Sequence, residues 1–174
     1  PEHPAGAIPQ YDDELSSWSA PFIMAPINTK NIHRSNFLLG HRYGMDFRYD
    51  EMLLTGDGEQ GKATAEFVAK DDSVAKSELQ PGDGPTKEER ENGDYEAIFA
   101  GTSSDGELMI SSVKGDRDPG YGSTSKMLAE AAMCLLKNPE LASGGLWTPA
   151  SALGEKLVER LEAHAGLTFE IEQG

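Results

Sequence analysis

A single cysteine, Cys134, stands among the 174 residues, so no disulfide can close within the chain and an intracellular, cytoplasmic setting is expected. No apolar run approaches the ~20 residues that a membrane span needs. A charged-then-apolar leader is also missing, and the chain opens on Pro1 rather than methionine, which suggests an engineered or cleaved piece of a longer polypeptide. Basic residues are scarce, 15 against 30 acidic ones, for a net charge of -15. A surface that negative repels phosphate backbones and anionic lipid, so neither nucleic acid nor membrane is expected as a partner. Nowhere do a strand, a G-x-G-x-x-G turn and a downstream acid follow one another in βαβ order. The chain therefore holds no complete Rossmann domain and is not expected to bind a dinucleotide tightly. No serine sits in a G-x-S-x-G elbow, which leaves hydrolase chemistry without a signal. His33 and His41 form no familiar metal-ligand spacing with Cys134 or a carboxylate, so no metal is expected.

The length suits one domain, with residues 1–20 as an irregular lead-in and 21–174 as the folded part. From Ile27 to Leu39 a helix is expected, with Pro26 near its first turn and Gly40 just beyond its end. Ile27, Ile32, Leu38 and Leu39 supply its apolar side. Alternation over 46–55 reads as a strand broken by Gly56-Asp57-Gly58, and 61–76 as a weak short helix. Leu79 to Pro85 reads as a loop, and Thr86-Lys87-Glu88-Glu89 as a capping box. The clearest hairpin signal joins strands near 94–100 and 106–114 through Thr102–Gly106. A four-turn helix ending near Leu136 follows. A last helix is capped by Thr148 with Pro149 at its first position, carries Leu153, Leu157, Val158 and Leu161 on one side, and stops at Gly166. Leu167 to Ile171 reads as a final strand. Strands segregated from helices give an α+β class: a mixed or antiparallel sheet with helices mainly on one face.

Two segments carry chemical interest. In Asp118-Pro119-Gly120-Tyr121-Gly122-Ser123-Thr124-Ser125-Lys126, two glycines permit a sharp turn and close approach of a ligand. The helix start that follows offers N–H groups and a positive dipole end to an anion or polarised oxygen, with hydroxyls and the Lys126 cation nearby. The plainer alternative is an ordinary loop-to-helix junction. In the segment around APINTKNIHRSN, Arg34 suits a two-pronged contact with a carboxylate or phosphate, and Asn28 and Asn36 suit a carbonyl. The alternative is a polar helix face meeting solvent or another domain. Cys134 falls on the apolar side of its helix and reads as a packed thiol.

The segments APFIMAPINTKNIHRSNFLLGHRYGMDFRY, GPTKEERENGDYEAIFAG, GDRDPGYGSTSKMLAEAAMCLL and LWTPASALGEKLVERLEAHAGLTFEI occur in the order seen in saccharopine dehydrogenase-like proteins. The resemblance covers residues 15 to 172 and is strongest to the bacterial branch that includes the trans-acting enoyl reductases. It implies an amino-terminal Rossmann domain, absent here, that binds NADP or NAD. It also implies a second α+β domain that supplies the substrate pocket and a homodimer contact, and this chain resembles the later part of that domain. Residues 57–85 are hydrophilic where some relatives carry an apolar stretch, which argues for a soluble protein. On this reading the parent enzyme moves a hydride between nicotinamide and a C=N, C=O or activated C=C bond of a small-molecule substrate. Tyr121 and Lys126 are then the candidate proton donors, and Asn28, Arg34, Asn36, Gly120, Gly122 and Ser123 the candidate substrate contacts. The alternatives are a non-catalytic interaction or dimerisation module, or a small-ligand carrier.

Overall fold

Residues 6–71, 83–141 and 143–173 are described by a computed structural model, in which the chain divides into two units, Pro1–Glu78 and Leu79–Gly174. Each unit has its own three-stranded antiparallel sheet, so the α+β class holds with two small sheets in place of one.

The first unit contains β1 (Gln10–Asp12), β2 (Ser17–Pro21), α1 (Ala25–Leu38), β3 (Met52–Gly56) and α2 (Gly58–Lys70), with β2 central in the sheet. Residues 10–20, expected to be irregular, thus supply an edge strand and the central strand. Their apolar alternation is hidden because β2 buries Ser17 and Ser19 along with Ala20. The Ser17 hydroxyl accepts from Gly56 N–H at 3.0 Å, and that of Ser19 donates to the Gln10 carbonyl at 3.2 Å. Helix α2 starts where Asp57 caps Gly58 N–H and packs through Ala65 against this sheet. It begins three residues earlier than the sequence pattern suggests, and residues 72–76 of the expected helix lie outside the described residues, as does most of the 79–85 loop.

Helix α1 has Pro26 in its first turn and ends before Gly40, as expected, but its burial is inverted. Ser35 and Asn36 are buried, while Ile27 is 56 % exposed. The reason is a turn that folds back on the helix end: Asn36 donates to the Gly44 carbonyl at 2.9 Å and accepts from Tyr43 N–H at 2.8 Å. Of the expected 46–55 strand only 52–55 lies in β3, which pairs with β2 and runs one residue further, to Gly56. Residues 43–49 instead gather aromatic rings, Phe47 standing 5.6 Å from His33, 5.4 Å from Tyr43 and 6.2 Å from Tyr49 between centroids.

The second unit contains α3 (Lys87–Asn92), β4 (Tyr95–Thr102), β5 (Leu108–Gly115), α4 (Gly122–Lys137), α5 (Pro149–Arg160) and β6 (Leu167–Gln173), with sheet order β4-β5-β6. The Thr86 capping box, the hairpin and the Thr148–Ser151 cap all form as the sequence indicates. A π-helical turn, Leu161–Ala165, extends α5 and closes at Gly166 in the left-handed region, φ 70°. Side chains alternate across the sheet. Val113 and Phe169 face a core of Leu161, Ala165 and Leu167 with Met127 from α4 and Leu157 from α5. On the opposite face Lys114 lies 3.4 Å from Glu96 and 3.0 Å from Glu170. Arg160 and Glu130 tie α5 to α4 by an ion pair that is mostly buried. Cys134 is fully buried on the inner side of α4.

Replacing Asn36 by alanine removes both bonds to the 43–44 turn and strands a partly buried N–H and carbonyl. We expect a loss of about 1–3 kcal/mol, read as a lowered urea midpoint. An unchanged midpoint would show that the turn holds without this clamp.

Candidate functional site

The start of α4 is assembled by one carboxylate. Asp118 Oδ1 accepts from the N–H groups of Gly120 and Tyr121, both at 3.0 Å, and Oδ2 accepts from Gly122 N–H at 2.5 Å. Its carbonyl takes Ser123 N–H at 2.8 Å. The glycine turn therefore does not present open donors to an outside anion, as its sequence suggests; a side chain of the turn itself fills the place. Partial desolvation raises the Asp118 carboxyl. The N–H groups of Gly122, Tyr121 and Gly120, with the nearby Arg90 charge, outweigh it and hold the group below the ordinary carboxylate value.

The other residues singled out in the sequence are placed as follows. The Tyr121 hydroxyl donates to the Asp83 carbonyl at 3.0 Å, and the ring is half exposed. Lys126 lies 2.6 Å from Asp116. Ser123 is fully buried, its Oγ 3.0 Å from the Tyr95 hydroxyl. Asn28, Arg34 and Asn36 all belong to α1, in the first unit. Asn28 donates to Glu51 at 2.9 Å, a carboxylate that also takes the Tyr49 hydroxyl at 2.8 Å. Desolvation foremost, then the bond to Glu51 and the charges of Glu51 and Asp50, push the Tyr49 hydroxyl well above its usual value. Asn36 is the turn clamp described above, and Arg34 is exposed.

Ser123 and Lys126 have a common destination. Their partners, Tyr95 and Asp116, both line a cleft of about 290 Å³, with Asp94, Glu96, Lys114, Gly115, Gly166 and Thr168. Two glycines shape it. A Cβ on Gly115 would collide with the Tyr95 ring, which lies flat across this position of β5. Gly166 combines its positive φ with close approach to the Asp116 carboxylate. Tyr95 was not singled out in the sequence, because its place depends on the β4–β5 register that sets it opposite Gly115. The Asp118 cap had a signal: an aspartate before Pro-Gly is a common turn opener that bonds its own downstream N–H groups.

Among the described residues no group of three or more His, Cys, Asp or Glu is arranged to hold a metal ion, and no helix is long and apolar enough to cross a membrane. A dinucleotide does not fit this chain's glycine turn, whose N–H groups are spent on Asp118 and whose neighbouring cleft carries three carboxylates.

Comparison with known proteins gives one consistent relationship. Over 88 % of its length the chain is 34 % identical to a Mycobacterium tuberculosis protein provisionally named a trans-acting enoyl reductase. Over 83 % it is 27 % identical to a trans-acting enoyl reductase of Mycobacterium ulcerans and 29 % identical to one of Mycobacterium bovis. The chain spans about two fifths of the length of these relatives, 41 % of the first and 39 % of the other two. No family model matches, and neither does any solved structure. The similarity is thus to part of an enoyl-reductase-type protein.

Because the folded-state pKa of Asp118 is depressed, its contribution to stability is complete above the ordinary carboxylate range. It is lost as pH falls through the lowered value. Thermal melts from neutral pH downward should show an acid loss below about pH 4 that is smaller in Asp118→Asn. Equal pH dependence in both proteins would contradict the cap.

Proposed function

We propose that the chain is the carboxy-terminal, substrate-side part of an NAD(P)-dependent oxidoreductase of the saccharopine dehydrogenase-like family, acting on an activated C=C bond. The observation that carries this is the alignment with enoyl-reductase-named relatives over nearly the whole chain, at two fifths of their length. The proposal assigns the nicotinamide cofactor to a Rossmann domain elsewhere in the longer protein. In the second unit, the face made by β4, β5 and the start of α4 then serves the substrate. Orientation of two reactants held by different parts would supply much of the rate. The sequence candidates Tyr121 and Lys126 are less suited to moving a proton than they first look, since each is engaged with a neighbour.

A second reading is favoured by α4. Leu128, Leu135 and Leu136, at helical spacing with Ala132, leave an apolar stripe exposed, Leu128 by 71 % and Leu136 by 74 %. Stripes of this kind mark docking surfaces. A docking role, to the nucleotide-binding domain or in a homodimer, is compatible with the oxidoreductase proposal and also with a module that has no chemistry of its own.

The full-length protein should bind NADPH and consume it when a panel of enoyl thioesters of increasing chain length is added, while the 174-residue chain alone should do neither. Full-length protein that fails to bind NADPH removes the oxidoreductase reading. An isolated chain that oxidises NADPH with substrate contradicts the division of labour.

A further inference from the structure

From Leu15 to Met45 the sequence holds no acidic residue, although the chain as a whole has 30. The same stretch carries Lys30, Arg34 and Arg42, so its charge runs opposite to that of the rest of the molecule. Helix α1 lies at its centre. The helix buries Ser35 and Asn36 and leaves another side open. On that side Ile27, Lys30, Arg34 and Phe37 follow one another at intervals of three, four and three. On a helix of 3.6 residues per turn this keeps them within an arc of roughly 80°. All four are exposed, Phe37 by 66 %. Ile23, four residues before Ile27 and 63 % exposed, extends the row just ahead of the helix. Alternating threes and fours is the spacing by which one helix packs along another. Large apolar side chains at both ends of the row favour its being covered, and the two cations at its middle determine by what.

We infer that this face of α1 docks an acidic amphipathic helix of another protein. The occupant carries carboxylates where it meets Lys30 and Arg34, and apolar side chains toward both ends. A second copy of this chain docking through the same face is disfavoured, because a two-fold axis would set the basic pair of one copy against the same pair of the other. An extended anionic surface such as lipid would also meet the remainder of a chain whose net charge is -15, whereas a single helix need touch only the acid-free face. The inference is independent of which reaction the longer protein performs.

The test uses a synthetic helical peptide matched in length to α1, with two glutamates flanked by leucines in a row of the same three-four-three spacing. A control peptide has lysines in place of the glutamates. Titrated into the 174-residue chain, the acidic peptide should give saturable shifts of the Ile27, Lys30, Arg34 and Phe37 amides, with affinity falling as salt rises. The control should give none. Reversing the face with Lys30→Glu/Arg34→Glu should weaken the acidic peptide by ~10-fold or more and admit the control, since complementarity of charge sets the choice of partner. Absence of shifts with the acidic peptide in the wild-type chain overturns the inference, and so does equal binding of both peptides. Response of the same amides to vesicles of phosphatidylcholine and phosphatidylserine, but not to the peptide, would make the face a lipid contact and overturn it equally. Full-length protein that fails to bind the peptide, beside a 174-residue chain that binds it, would show the face covered within the longer protein and overturn docking to another one.

Discussion

The hydrogen bonding at the first turn of α4 is the constraint on which the second unit depends. A helix start leaves four N–H groups without intrahelical partners, and here they fall where the chain leaves a strand and turns sharply. Asp118 meets three of them locally, Tyr121 and Gly122 with its carboxylate and Ser123 with its carbonyl, and its carboxylate also takes Gly120 N–H just before the helix. Arg90 O, at the end of α3, accepts from Asp118 N–H at 3.3 Å, so the same residue joins α3 to α4. With the turn fixed, Ser123 meets Tyr95 on β4 and Lys126 meets Asp116 beyond β5. Helix α4 is then seated so that Met127 reaches the core on the sheet.

The functional consequence follows from what this arrangement uses up. A loop whose sequence suggests an anion cradle has supplied its own anion, and the cleft beside it is rimmed by carboxylates. Both features turn the start of α4 away from phosphate. The chain aligns with about two fifths of the length of its enoyl-reductase-named relatives.

Much of the second unit was legible from sequence because its signals are local. The Thr86 and Thr148 caps, the Thr102–Gly106 turn and the Gly166 stop each act within a few residues of themselves. The first unit was harder for the opposite reason. Its central strand buries serines, its first helix turns polar residues inward to hold a turn, and its α2 helix packs on alanine and glycine, so hydrophobic periodicity reports little. The candidate site was legible in part. Ser123 and Lys126 stand beside the cleft, whereas Tyr95 and Asp116 come to it only through strand register, a long-range property that no local pattern carries.

The central claim, that the start of α4 is closed to phosphate by Asp118, is tested most directly by following the backbone amide resonances of Gly120, Tyr121, Gly122 and Ser123 while NADPH, and separately inorganic phosphate, is titrated into the native chain. The account predicts that none of the four moves. A saturable shift of these amides, absent at distant positions, would contradict it.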